Sequence, residues 1–172
     1  YTLSLHDALP IFGRRPARAH RPRHPDRDRR HRGGYQHALD SKGRIIIPAK
    51  FREALAGVFV VTKGLDNCIF LYPLHEWDRI AEQLRALQSN RSDVRKFNRI
   101  FFANALELVM DKQGRVVLPP HLREFAHIEK EVMVIGVGSR IEIWAMEEWK
   151  AYQAEAARDL EQLAETIVDL EL

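Results

Sequence analysis

"LDSKGRIIIP" (residues 39–48) and "MDKQGRVVLP" (residues 110–119) state nearly the same pattern twice, 71 residues apart. In each, an Asp is followed three positions later by Gly, then by Arg, a β-branched run and a Pro. Asp at the first position and Gly at the fourth suit a type I turn that ends on a left-handed residue. The runs Ile45–Ile47 and Val116–Leu118 read as strands. Pro48 and Pro119 then suit the first position of a short helix, where a missing N–H costs nothing.

The likeness extends outward. Asp40, Gly43, Arg44, Pro48 and Arg52 match Asp111, Gly114, Arg115, Pro119 and Arg123 at one offset. With one residue inserted, "VVTKGLDNCIFLYPLHEW" (60–77) parallels "VMVIGVGSRIEIWAMEEW" (132–149). The same order of elements twice marks a duplication. Each half predicts a short strand (about 35–40 and 105–110), the turn, the β-branched strand, a short helix and a two-strand hairpin. A longer amphipathic helix closes each half. Trp77, Ile80, Leu84 and Leu87 form its stripe in the first, and residues 147–172 are the equivalent in the second. Residues 93–105 predict a linking helix with no counterpart at the start.

A half of about 70 residues buries little surface alone. The expected fold is therefore α+β, a small pseudo-symmetric barrel in which two repeats interleave their strands, with helices packed outside. The boundaries follow as a first repeat at 32–90, a linking helix at 91–104, and a second repeat with its C-terminal helix at 105–172. Residues 1–31 are read as a non-native or disordered basic tail outside the fold. "YTLSLHDALPI" resembles a translated sequencing-adapter oligonucleotide, and the Arg/Pro/His run after it has no apolar periodicity. The other reading of that run is a basic arm for phosphates.

Charge placement matters more than its total. Of the net +3, the run 14–32 supplies +7, with nine Arg against Asp26 and Asp28. Asp7 takes one away, which leaves the body from Gly33 onward at −3. No apolar run approaches the ~20 residues of a membrane span. One cysteine, Cys68, makes no internal disulfide and fits a reducing cytoplasm as a small strand residue. Eight scattered histidines lack zinc spacing, so neither a metal nor a cofactor is expected.

Lys42 with Arg44, and Lys112 with Arg115, place paired cations on two turn tips. Such a ribbon fits a DNA groove, where an arginine fork contacts two acceptors of guanine or a phosphate. The plainer reading is a fold joint, in which Asp40 and Asp111 pair with their own arginines. Arg52 and Arg123 end the short helices; they suit phosphate, or the helix C-terminus itself. Trp77, Trp144 and Trp149 read as core, and Lys63 and Arg140 as solvated. Asp40 and Lys42 with Glu107 or Asp111 faintly suggest a metal-dependent nuclease. Gln113 stands where Lys42 does in the first repeat, so that lysine is not kept between repeats. No nucleophile elbow or phosphate-binding glycine loop is present.

"RGGYQHALDSKGRIIIPAKFR", "DKQGRVVLPPHLR" and the "IEIW…W" strand-to-helix turn together resemble the MraZ family of bacterial transcriptional regulators, over about residues 32–165. His31 departs from the pattern, standing where the family has an apolar residue. The resemblance implies an AbrB-like swapped-hairpin (double-split) β-barrel and rings of many subunits. It also implies cytoplasmic, nucleoid-associated binding to double-stranded direct repeats upstream of the division and cell-wall gene cluster. An AbrB-like antitoxin is the alternative, although the long C-terminal amphipathic helix argues for self-association.

Overall fold

The computed structural model describes residues 31–167; the basic tail and the last five residues lie outside them. The elements are β1 (Arg32–Ala38), β2 (Arg44–Ile46), α1 (Ala49–Arg52), β3 (Val58–Lys63), β4 (Ile69–Pro73), α2 (Leu74–Ala86) and α3 (Ser92–Ala103). After them come β5 (Leu106–Val109), β6 (Arg115–Val117), α4 (Pro120–Phe125), β7 (Glu131–Val137), β8 (Arg140–Ala145), α5 (Met146–Arg158) and α6 (Leu160–Thr166). The class is α+β, and every strand pair is antiparallel.

The main sheet has six strands in the order β1-β7-β8-β4-β3-β5, and a two-stranded ribbon joins β2 to β6. Exchange each element for its equivalent in the other repeat and this order reads the same backwards. The opening strand of each repeat therefore pairs with the other repeat's hairpin: β1 with β7, and β5 with β3. The repeats interleave, as the shortage of buried surface in one half requires. The sheet is open, however, with β1 and β5 as its edges and not a closed barrel.

Both faces of the central strands are covered, which is why they read as unbroken apolar runs. Phe59, Val61, Ile69 and Leu71 point into one cluster, together with Ile45, Val116, Phe51 and Leu122 from the ribbon and short helices. Val60, Phe70 and Tyr72 point the other way, into an aromatic cluster with Trp77, Phe101 and Trp144 beneath the longer helices. Trp77 stacks on Phe101 with centroids 5.4 Å apart, and the buried Thr62 hydroxyl donates to the Phe101 carbonyl at 2.7 Å, tying β3 to α3. The three tryptophans are core residues, as expected, with Trp149 partly buried.

Several details differ from the sequence reading. The ribbon strands begin one residue earlier, at the arginines themselves. Pro48 and Pro119 are helix N-caps, and in the second repeat Pro120 takes the first helical position. The C-terminal helix breaks at Asp159, and α6 begins there afresh. Leu87 does not join the α2 stripe; it follows the helix in extended conformation and is exposed. Cys68 precedes β4 in the hairpin turn, buried, and donates its S–H to the Leu65 carbonyl at 3.0 Å. Burial pushes its thiol well above the ordinary range.

Arg140 and Lys63 are not simply solvated. Glu142 replaces Phe70 in the second repeat and is buried, so its carboxylate needs partners. Arg140 supplies one at 2.8 Å and Trp144 Nε1–H another at 2.9 Å, while the Arg140 guanidinium lies over the Phe70 ring. Lys63 lies over the Phe125 ring at 4.9 Å. His31, at the family's apolar position, is buried and stacked on Phe51.

Phe59, fully buried between the ribbon and the sheet, makes the sharpest test of this shared core. Phe59→Ala is expected to cost about 3–5 kcal/mol and to melt both repeats in one transition. Chemical denaturation that shows two separate transitions contradicts the interleaving.

Candidate nucleic-acid interface

Each repeated turn is closed by its own aspartate. Gly43 N–H donates to the Asp40 carbonyl at 3.0 Å, and Asp40 N–H to the Arg44 carbonyl at 2.9 Å. Asp40 Oδ1 accepts the backbone N–H groups of Lys42 and Arg44, both at 2.9 Å, and Oδ2 accepts Arg44 Nε–H at 2.6 Å. In the second repeat, Asp111 does the same with Gln113, Arg115 and Arg115 Nε, the last at 2.8 Å. Both aspartates are held below the ordinary carboxylate range, first by the backbone N–H of the arginine, then by its side chain and the second amide.

The joint reading and the contact reading describe the same atoms. Aspartate takes only Nε of each arginine. Among the described residues no other bond to the terminal guanidinium nitrogens of Arg44 or Arg115 is present. Their side chains are 26% and 28% exposed. The carboxylate thus aims a fork and leaves its two outer nitrogens available. Lys42 and Lys112 are exposed beside them and make no ion pair among the described residues.

The ribbon brings the two turns together. Ile45 lies opposite Val116, both buried, while Arg44 pairs with Val117 and Ile46 with Arg115 on the outer face. That face therefore carries two arginines on one diagonal and two exposed β-branched residues on the other. Ile46 and Val117 escaped notice in the sequence. The period of two that places them beside the arginines was readable, but which face is buried was not. Beyond the strands, Ile47 N–H donates to the Gly114 carbonyl at 2.9 Å and Leu118 N–H to the Gly43 carbonyl at 3.1 Å. Each turn is thereby sewn to the other repeat.

Arg52 and Arg123 also cross over. Gly43 has φ +73° and Gly114 φ +74°, the left-handed region that favours glycine. A Cβ on Gly43 would stand 2.9 Å from Arg123 Nη1, and one on Gly114 2.5 Å from Arg52 Nε. Each helix arginine thus packs on the turn of the opposite repeat. Arg52 is further fixed by donating Nε–H to the Ile47 carbonyl at 2.9 Å. Arg52 also lies close enough to His37 of β1 to lower its pKa, although burial is the larger cause. The structure therefore assembles two cationic groups, Lys42, Arg44 and Arg123 at one end of the ribbon and Lys112, Arg115 and Arg52 at the other.

Among the described residues no group of three His, Cys, Asp or Glu is placed to hold a metal ion, and no helix is long and apolar enough to cross a membrane. Asp40 and Asp111, which a metal site would need, already spend both carboxylate oxygens on the turns.

A duplicated α+β chain that presents two aspartate-held arginine turns on one ribbon defines a narrow class. The family model described as "MraZ protein, putative antitoxin-like" matches twice, at residues 31–100 and 101–171. Over 138 residues the chain is 55% identical to the transcriptional regulator MraZ of Desulforamulus reducens, covering 80% of this chain and 97% of that protein. It is 57% identical to that of Syntrophomonas wolfei over 138 residues, 80% and 96% of the two chains. Against that of Pelotomaculum thermopropionicum it is 52% identical over 140 residues, 81% and 97%. The chain belongs to the MraZ family.

Two predictions follow from the turn geometry. Alanine in a left-handed position costs about 1–2 kcal/mol, so both Gly43→Ala and Gly114→Ala lower the thermal midpoint. Gly114→Ala loses more, because its Cβ would stand 2.5 Å from Arg52 Nε, which is fixed by its bond to Ile47, whereas one on Gly43 would stand 2.9 Å from the terminal Nη1 of Arg123. Equal losses contradict the packing difference. For pH, the folded carboxylates titrate below their unfolded value of about 3.9. Their contribution to stability is thus complete above that pH and lost as pH falls through the lower folded value. Carboxyl carbon chemical shifts of Asp40 and Asp111 should titrate below pH 3.9; midpoints at or above it contradict the assigned bonds.

Proposed function

We propose that this protein is a sequence-specific DNA-binding transcriptional regulator that reads direct promoter repeats through the two ribbon turns. The observation that carries the reading is the aspartate-held arginine whose outer nitrogens have no partner among the described residues, present twice on one exposed ribbon face. The names of the relatives point the same way. Aspartate fixes the fork before binding, so less rotamer freedom is lost when it meets an acceptor pair. Lys42, Lys112, Arg52 and Arg123 supply further positive charge toward phosphates on either side.

A body of net −3 attracts DNA weakly in bulk. Specific binding then needs many small basic tips acting together through effective concentration. This supports a ring-like oligomer on spaced repeats, with the gene cluster that the family resemblance implies as target and the cytoplasm and nucleoid as location. We read the strand exchange between repeats as the AbrB-like swapped-hairpin connectivity. The domain division at 32–90, 91–104 and 105–172 belongs to the same proposal. No enzymatic activity or cofactor is proposed. The antitoxin-like description of the family keeps a second reading in play, and co-purification with a small toxin would favour it.

The two arginines share one geometry, so their ranking rests on their neighbours. Lys42 stands where the second repeat has the neutral Gln113. Arg44 is therefore the principal reader and Arg115 a supporting contact. Loss of a bidentate base contact costs about 1–3 kcal/mol, multiplied by repetition around an assembly. Arg44→Ala should keep the circular dichroism spectrum and the oligomer size while abolishing the shift of the promoter fragment upstream of the protein's own gene. Arg115→Ala should weaken that shift less. Unfolding or disassembly by Arg44→Ala returns the motif to a fold joint, and undiminished binding by both variants removes the turns as the reading surface.

A further inference from the structure

The outer face of the β2–β6 ribbon holds more than its two arginines. Ile46 and Val117 stand on it, 45% and 51% exposed. Each comes two residues after the arginine of its own repeat, so the duplication sets a β-branched hydrocarbon at the same place twice. The core is filled by other residues of the same strands, Ile45 and Val116 on the inner face. The register sets each outer hydrocarbon beside the other repeat's arginine, with Val117 opposite Arg44 and Ile46 opposite Arg115. Directly opposite residues hold their Cβ atoms about 4.5–5.5 Å apart. The face is therefore a square of two guanidinium forks and two hydrocarbon corners.

We propose that Ile46 and Val117 determine specificity by packing on thymine C5-methyl groups in the major groove while the arginines take guanine. This rests on the DNA reading above and adds which base must stand near each guanine. A two-stranded ribbon fits the major groove, and the thymine methyl is the apolar group that base pairs present there. Phosphates call for charge and hydrogen bonds, which hydrocarbon cannot give. Spacing agrees. Arg44 and Ile46 lie two residues apart on one strand, about 7 Å, and bases rise by about 3.4 Å per step. With the ribbon along the groove, a fork on guanine places a hydrocarbon corner about two steps away.

The same chemistry rejects the other pyrimidine. Cytosine presents an amino donor at that place and no methyl. A hydrocarbon corner over it leaves the donor without a partner, so the penalty falls on the wrong base. Strand preference also favours isoleucine and valine at these positions, but that role is indifferent to any group on the DNA. The two roles therefore separate cleanly when the methyl is taken from the DNA.

The test titrates full-length wild type, Ile46→Ala and Val117→Ala against the promoter fragment upstream of the protein's own gene. The fragment is used as it stands and with single thymines replaced by deoxyuridine, which keeps base pairing and lacks only the C5-methyl. Wild type is expected to bind about fourfold more weakly when a contacted thymine is replaced, the change that follows from losing the burial of one methyl-sized group. Ile46→Ala is expected to lose this sensitivity at one set of thymines and Val117→Ala at another, because removing both partners of a contact costs no more than removing one. Circular dichroism checks the fold. If alanine loosens the ribbon, Ile46→Thr and Val117→Thr keep the β-branched strand preference, trade one methyl for a hydroxyl and should lower the sensitivity in the same sense. Wild-type indifference to deoxyuridine at every thymine overturns the methyl contact, and sensitivity that a variant keeps in full overturns it for that residue. In either case loss of binding by Arg44→Ala leaves the arginine reading standing. A wild type that binds the fragment no better than unrelated DNA overturns both.

Discussion

A single carboxylate organises each half of this protein. Asp40 accepts two backbone amides on one oxygen and Arg44 Nε on the other, and Asp111 does the same. These bonds fix a turn of four residues, put its glycine in the left-handed region and set the direction of the strand that leaves it. The β2–β6 ribbon follows from both turns at once, since the Gly43 and Gly114 carbonyls close it from either end. Remove the carboxylate and the arginine loses its aim, the strand its start and the ribbon one of its closures.

The ribbon in turn explains why the halves are inseparable. Ile45 and Val116 meet at its centre and face inward onto Phe51, Phe59 and Leu122. Strand exchange in the main sheet repeats the logic on a larger scale, with β1 and β5 each borrowed by the opposite repeat. Neither repeat holds a complete core, so the apolar surface of each is buried only when both are present. The arginines at the helix ends obey the same rule, because Arg52 rests on Gly114 and Arg123 on Gly43.

Symmetry is broken at a few positions, and these have visible physical causes. Glu142 replaces Phe70 at the sheet centre and is buried, which recruits Arg140 and Trp144 as partners and draws Arg140 over the Phe70 ring. The last helices differ as well, with α3 (Ser92–Ala103) following α2 in the first half and the shorter α6 (Leu160–Thr166) following the break at Asp159 in the second. Under the proposed reading, the ribbon's near-symmetry serves DNA.

The duplicated Asp-x-x-Gly-Arg turn, the β-branched strand after it and the order of elements in each half were legible from the sequence, because turn chemistry and alternation are local. Local too was the placing of Lys42, Arg44, Lys112 and Arg115 on the tips. Helix starts at Pro48 and Pro119 were legible only to within one residue, since proline suits the cap and the first turn alike. Partners distant in the chain were not legible. Nothing in "FR" at 51–52 says that Arg52 packs on Gly114, and nothing in "RIE" at 140–142 says that Arg140 must satisfy a buried carboxylate. Those pairings depend on which strands exchange between repeats and on how the sheet's two faces are covered. Local hydrogen bonding thus determined the turns, whereas burial of surface shared by both repeats, which exists only after they interleave, decided how the cations are grouped and which apolar residues stay exposed.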